Sequence, residues 1–145
     1  MLKGIPSILP PDLLKILMEM GHGDEICLGD GNFPHMSTNS RVVRCDGQGV
    51  PALLDAILAL MPLDIYVDQP VTLMAVVPGD QTATPIWNEY RAIIARHEAR
   101  GANAISHIER FAFYEKARRC YAVVATGEKA LYANIILQKG VVIEK

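Results

Sequence analysis

The chain has 145 residues, enough for one domain with its own apolar core. Hydrophobic residues make up 50% and charged residues 21%, a balance that excludes a disordered chain. The formal charge is −2 and the basic residues are scattered, which argues against nucleic-acid partners and polybasic membrane attachment.

Pro10-Pro11-Asp12 followed by "LLKILMEM" predicts a first helix with Leu13, Ile16, Leu17 and Met20 on its apolar stripe. Gly21 stands where a left-handed C-terminal cap belongs. Ile26-Cys27-Leu28 is then a short buried strand closed by the turn residues Asp30-Gly31-Asn32. Arg41–Cys45 reads as a second strand, and Val50–Met61 as a helix ended by Pro62. Two strands follow, Ile65–Val67 and Val71–Val77, the second apolar throughout, as in a sheet covered on both faces. A long helix is predicted from Thr84 to Arg100, with Thr84 as N-cap, Pro85 at its first position and Gly101 after its end. Ile105–Ile108 reads as a strand, Phe111–Arg119 as a helix, and Tyr121–Ala125 and Ala133–Leu137 as strands. Helices and strands alternate, which predicts an α/β layered domain over residues 1–145, without repeats or linkers.

The three cysteines, Cys27, Cys45 and Cys120, are odd in number and lack C-x-x-C spacing, so they read as buried thiols of a reducing compartment. No apolar run reaches the length of about 20 residues that a membrane helix needs, and the N-terminus lacks a signal h-region. The expectation is a soluble, cytoplasmic protein.

Among residues suited to chemistry, His22 follows a helix C-terminus, where the macrodipole favours positive charge, and glycines on both sides leave its ring accessible. It reads either as a cap on exposed carbonyls or as a proton-transfer group. Asp30 ends a strand, the place where α/β sheets commonly bind ligands, but an Asp-Gly-Asn turn explains it equally well. His22-Gly23-Asp24 could place two metal ligands close together, yet no H-x-x-x-H, H-E-x-x-H or cysteine pair supports a metal. His35 and His97 lack a partner pattern, and His107 fits either an interior position or the lining of a cleft. Neither nucleotide-binding glycine loop is present, nor a G-x-S-x-G elbow. What remains is a set suited to hydroxyl recognition and proton transfer: His22, Asp30, Arg110, Tyr132 and Asn134. If Tyr132 and Asn134 lie on a strand, their spacing of two puts them on one face.

Six blocks in order, "MLKGIP", "MGHGDEI", "GDGNFP", "ERFAFYEKAR", "YAVVATGE" and "LYANIILQKGV", resemble the L-fucose mutarotase and D-ribose pyranase family from Leu2 to about Val142. Within it the chain is similar to the fucose branch. The ribose branch reads G-H-T-D and D-A-G-L-P at the second and third blocks and carries a histidine where Arg110 stands. The resemblance implies a ribose pyranase-like fold, a central mixed, largely parallel sheet flanked by helices, in a ring-shaped homodecamer with sites near subunit contacts. It implies an isomerase that interconverts sugar anomers without metal or cofactor. Carried over by position, His22 is the acid–base residue, and Asp30, Arg110, Tyr132, Ala133 and Asn134 bind the sugar; Tyr132 is a candidate second proton-transfer group. Alanine replaces the glycine usual between Tyr132 and Asn134, and Gly29 and Gly31 stand where alanine is common. The alternatives are a D-ribose pyranase, a mutarotase of another pentose or deoxyhexose, and a non-catalytic sugar-binding module.

Overall fold

A computed structural model describes residues Met1–Lys145. Six strands form one sheet in the order β2-β5-β1-β6-β3-β4: β1 (Glu25–Gly29), β2 (Val42–Cys45), β3 (Val71–Met74), β4 (Ile105–Ile108), β5 (Ala122–Thr126) and β6 (Ile135–Gln138). The pairs β1–β5, β2–β5 and β3–β4 are parallel, and β6 runs antiparallel between β1 and β3. Five strands therefore point one way and β6 alone returns, which confirms the mixed, largely parallel sheet. The ends of β1, β3 and β4 and the start of β6 consequently meet at one rim. The opposite rim holds the start of β1 and the end of β6.

Helices cover both faces. Helices α1 (Pro11–Glu19), α3 (Val50–Leu58) and α4 (Ile86–His97) pack against Ile26, Leu28, Val71, Leu73, Val124 and Ile135 on one side. Helix α5 (Arg110–Arg119) inserts Phe113 and Ala117 against Cys27, Val123 and Ile136 on the other. Ile26 and Leu28 thus face one layer and Cys27 the other, as the two-residue strand period requires. All five residues of β5 are buried. The cysteines are free and buried, as expected, and burial pushes the Cys120 thiol up to about 12.

Several boundaries differ from the sequence expectations. Met20, leaving α1, is extended, and Gly21 is not the left-handed residue. The turn comes later: Gly21 donates its N–H to the Asp24 carboxylate at 2.8 Å, Asp24 N–H returns to Gly21 O, and Gly23 takes the positive φ of 86°. Ile65–Val67 is not a strand. The Asp64 carboxylate turns the chain by accepting the Tyr66 N–H, and Arg100 takes up the carbonyls of Asp64 and Val67, leaving no neighbouring strand to satisfy them. Strand β3 stops at Met74, three residues early, where Pro78 and Gly79 soon turn the chain. Helix α4 begins at Ile86 and ends at His97; Thr84 supplies only its carbonyl, to Trp87 N–H, and Glu98 is extended. A short helix α2 (His35–Thr38) was not anticipated, since four residues leave no apolar period to read. Helix α5 carries the clearest cap: the Glu109 carboxylate accepts from Phe111 N–H and Ala112 N–H.

Candidate active site

Asp30 follows β1 directly and is 4% exposed. Burial pushes its carboxyl above the ordinary carboxylate value, against the backbone N–H groups of Asn32 and Ala133 and the nearby charge of His35. Its own N–H donates to Asn134 Oδ1 at 2.8 Å, so Asn134 ties the entry of β6 to the exit of β1. That bond uses the amide oxygen and leaves the Asn134 NH2 as the group available to a ligand. Tyr132 and Asn134 do not share a strand face, since the ladder begins only at Ile135. Tyr132 sits in a turn with φ 55°, which few side chains other than glycine adopt. Two side chains of α4 hold that turn: Trp87 Nε1 donates to the Tyr132 carbonyl at 2.8 Å, and Tyr90 Oη to the Ala133 carbonyl at 2.7 Å.

These residues line a cleft of about 280 Å3 with Arg110, the first residue of α5. Arg110 is exposed and lies beside the rings of Phe111 and Tyr114, at 5.4 and 5.5 Å. Asn32, Asp80 and Tyr114 add polar groups; Phe33, Met74, Val77 and Leu131 supply apolar wall. The volume lies near the lower end of the range of about 300–1,000 Å3 for small-molecule sites, and with one cation among hydroxyl-binding groups it suits a small polyol ring. The side chain of Ala133 is buried in the core, and its contribution at the cleft is the N–H held toward Asp30.

His22 is not in this cleft. It stands before β1 at the opposite rim, where Gly23 N–H donates to Lys139 O just past the end of β6. There its Nε2 lies 3.1 Å from Asp64 Oδ1, and its ring leans on Tyr66 with centroids 5.4 Å apart. Asp64 is buried and also accepts from Gln138 Nε2 at 3.1 Å. Burial alone would raise its carboxyl, but the Tyr66 N–H, the His22 hydrogen bond and charge, and Gln138 outweigh it and hold the carboxyl below the ordinary value. An ionised Asp64 makes Nε2 the protonated nitrogen and leaves Nδ1 for exchange with a ligand.

Sequence reasoning missed Asp64, Asp80, Tyr114 and Phe33. Asp80 ends a Pro-Gly-Asp turn just past an apolar strand, a signal of the kind that drew attention to Asp30; Asp64 was hidden beside a segment read as a strand. His35 packs under the site, its ring 5.4 Å from Phe33 and its buried Nε2 without a hydrogen-bond partner. His97 bonds Asp55 on the polar face of α4, and His107 is exposed, its ring tilted against Trp87 with centroids 4.8 Å apart. A larger groove of about 660 Å3, between the N-terminal segment and the end of β2, holds none of the candidate residues.

An α/β sheet with a small polar, cation-bearing cleft outside its strand ends has the architecture of a small-molecule site. Residues 3–142 match the sequence profile of the RbsD / FucU transport protein family, and the chain belongs to that family. It is 51% identical to human fucose mutarotase, over 97% of this chain and 94% of that one. FucU from Bifidobacterium longum superposes with a TM-score of 0.96 at 59% identity, covering 97% of this chain and 100% of its own. The fucose mutarotase of Streptococcus pneumoniae, solved in complex with L-fucose, superposes with a TM-score of 0.94 at 54% identity, covering 98% and 100%.

Proposed function

We propose that this protein is an L-fucose mutarotase, an isomerase acting as a single domain over residues 1–145. The observation that carries the reading is the convergence of Asp30, Arg110, Tyr132 and Asn134 on one cleft, in a fold close to that of a fucose mutarotase solved with its sugar. Mutarotation opens the ring, lets C1 rotate and recloses it on the other face of the aldehyde. The ring oxygen must gain a proton while the anomeric hydroxyl loses one.

Asp30 accepts from sugar hydroxyls, the Asn134 NH2 and Arg110 donate to sugar oxygens, and Phe33 and Met74 meet the less polar face. His22 gives the ring oxygen its proton from Nδ1, with Asp64 holding the opposite nitrogen and stabilising the imidazolium. Because His22 and the cleft occupy opposite rims, His22 serves the cleft of a neighbouring copy. Exposed apolar residues flank both partners of that contact: Ile65 and Tyr66 beside His22, Phe111 and Leu131 at the cleft. Two different patches meeting head to tail generate a ring rather than a two-fold dimer, which fits the homodecamer implied by the family resemblance. No helix is long and apolar enough to cross a membrane, and three free, buried thiols accord with a cytoplasmic setting.

The test is anomer exchange followed by NMR saturation transfer over L-fucose, D-ribose and related sugars. The expected result is acceleration greatest for L-fucose. Fastest exchange with D-ribose would make the chain a pyranase, and binding of L-fucose at the buffer exchange rate would make it a non-catalytic sugar module.

A further inference from the structure

On the mutarotase reading, His22 accounts for the proton reaching the ring oxygen and leaves open what takes the proton of the anomeric hydroxyl. Tyr132 lines the cleft, and its hydroxyl is already engaged. It donates to Asp80 Oδ2 at 2.5 Å and accepts from the Val77 N–H at 3.3 Å. The other carboxylate oxygen, Asp80 Oδ1, accepts from the Thr82 hydroxyl at 2.6 Å and the Thr82 N–H at 2.9 Å. These donors, the Thr82 hydroxyl first and Tyr132 next, hold the Asp80 carboxyl below its ordinary value, so it is an anion at neutral pH. The Tyr132 backbone is pinned in its left-handed conformation by Trp87 and Tyr90, so the phenol meets Asp80 from a fixed base. Asp80 itself lines the cleft with Asp30 and Arg110.

We propose that Asp80 and Tyr132 form a proton relay for the anomeric hydroxyl, in which Tyr132 Oη takes the sugar's O1 proton while its own proton passes to Asp80 Oδ2. In ring opening the O1–H bond breaks, C1–O1 becomes the carbonyl, the C1–O5 bond breaks and O5 takes the His22 proton. Asp80 is then a neutral carboxylic acid and His22 a neutral imidazole, so the step separates no charge. Closure on the other face reverses each transfer and restores both groups. The hydrogen bond to Asp80 also pushes the Tyr132 phenol above its ordinary value, so a free phenolate is not available as base at neutral pH. The carboxylate lets the neutral hydroxyl do that work. Asp80 acts through Tyr132 and is a positioning and proton-holding residue.

This inference rests on the mutarotase reading, and one set of measurements separates the two. L-fucose exchange is compared for the wild type, Asp80→Asn, Asp80→Glu, Tyr132→Phe and the double variant Asp80→Asn/Tyr132→Phe. Asp80 is exposed, so its substitutions leave the core untouched, and Tyr132→Phe keeps the half-buried ring that packs beside Phe113 and Ile136. Asp80→Asn keeps the shape but cannot take a proton, and its kcat is expected to fall about 10²-fold, within the range of general acid–base assistance. KM stays close to the wild-type value, Asp80→Glu regains part of the rate, and the double variant is no slower than Tyr132→Phe. Wild-type exchange by Asp80→Asn, a change in KM alone, or losses that multiply in the double variant would each overturn the relay. A wild-type protein that fails to accelerate exchange overturns the mutarotase reading, and the relay with it.

Discussion

His22 and Asp30 lie at the two ends of the same strand, with all of Glu25–Gly29 between them. At about 3.3 Å per residue the strand alone spans roughly 16 Å, far beyond the reach of an imidazole. His22 and the Asp30 cleft of one chain therefore cannot both reach one small molecule. Mixing His22→Ala with Asp30→Asn subunits should restore exchange that neither variant has alone, with about one site in four regaining both groups on random assembly. Mixed subunits that stay as inactive as the parents would rule out a site built across copies.

Removing the imidazole isolates the acid–base contribution. His22→Ala is expected to lose about 10²–10⁴-fold in kcat while still binding L-fucose, measured by saturation transfer and by calorimetric titration. The half-exposed ring leans on Tyr66 and bonds the buried Asp64, so its loss should cost about 1–3 kcal/mol of stability while leaving a folded protein.

Asp64 ties this histidine to acid stability. Its folded-state carboxyl lies below the ordinary value, so it contributes stability that is present above the unfolded value of about 3.9 and lost as pH falls through the folded one. Urea midpoints of the wild type should therefore drop between about pH 4 and more acid conditions, and those of Asp64→Asn should drop less. Equal slopes for the two proteins would remove the carboxylate from that balance.

Gly29 has no room for a side chain. A Cβ there would come within 2.7 Å of His35 Nε2 and 2.8 Å of Phe33 Cδ1, both buried beneath Asp30. Gly29→Ala should cost about 1–3 kcal/mol from overpacking. Removing the imidazole as well, in Gly29→Ala/His35→Ala, should return part of that loss in chemical denaturation.

Tyr90 couples the core to the cleft that Tyr132 lines. Its buried hydroxyl donates to the Ala133 carbonyl, one residue from the left-handed Tyr132. Tyr90→Phe leaves that carbonyl unpaired at a cost of about 1–3 kcal/mol. The loosened turn should also slow exchange, whereas Arg91→Ala, which removes an exposed bond to Asn88 in the same helix, should change neither.

The layered fold was legible because the apolar runs of β1, β3, β5 and β6 and the stripes of α1, α3 and α4 follow their periods closely. Segments governed by side chains far away in sequence were not legible. Ile65–Val67 has the composition of a strand, but Arg100 and Asp64 take its hydrogen bonds; Tyr132 has the spacing of a strand, but Trp87 and Tyr90 hold it in a turn. The candidate site divides in the same way. Residue identities and the family resemblance marked His22, Asp30, Arg110, Tyr132 and Asn134. Asp80 and Asp64 meet Tyr132 and His22 only through contacts made across 52 and 42 residues of chain.

The alternation of helix and strand, the buried strands and the chemical identities of the groups that would meet a sugar are written in the chain itself, because periodicity and residue type are local properties. The antiparallel course of β6 between β1 and β3 emerges only from long-range pairing. That reversal brings Tyr132 and Asn134 beside Asp30 and Arg110 at one rim and leaves His22 with Asp64 at the other. A strand fixes the distance between its ends whatever the chemistry of the residues there, so His22 and the Asp30 cleft of one chain stay apart.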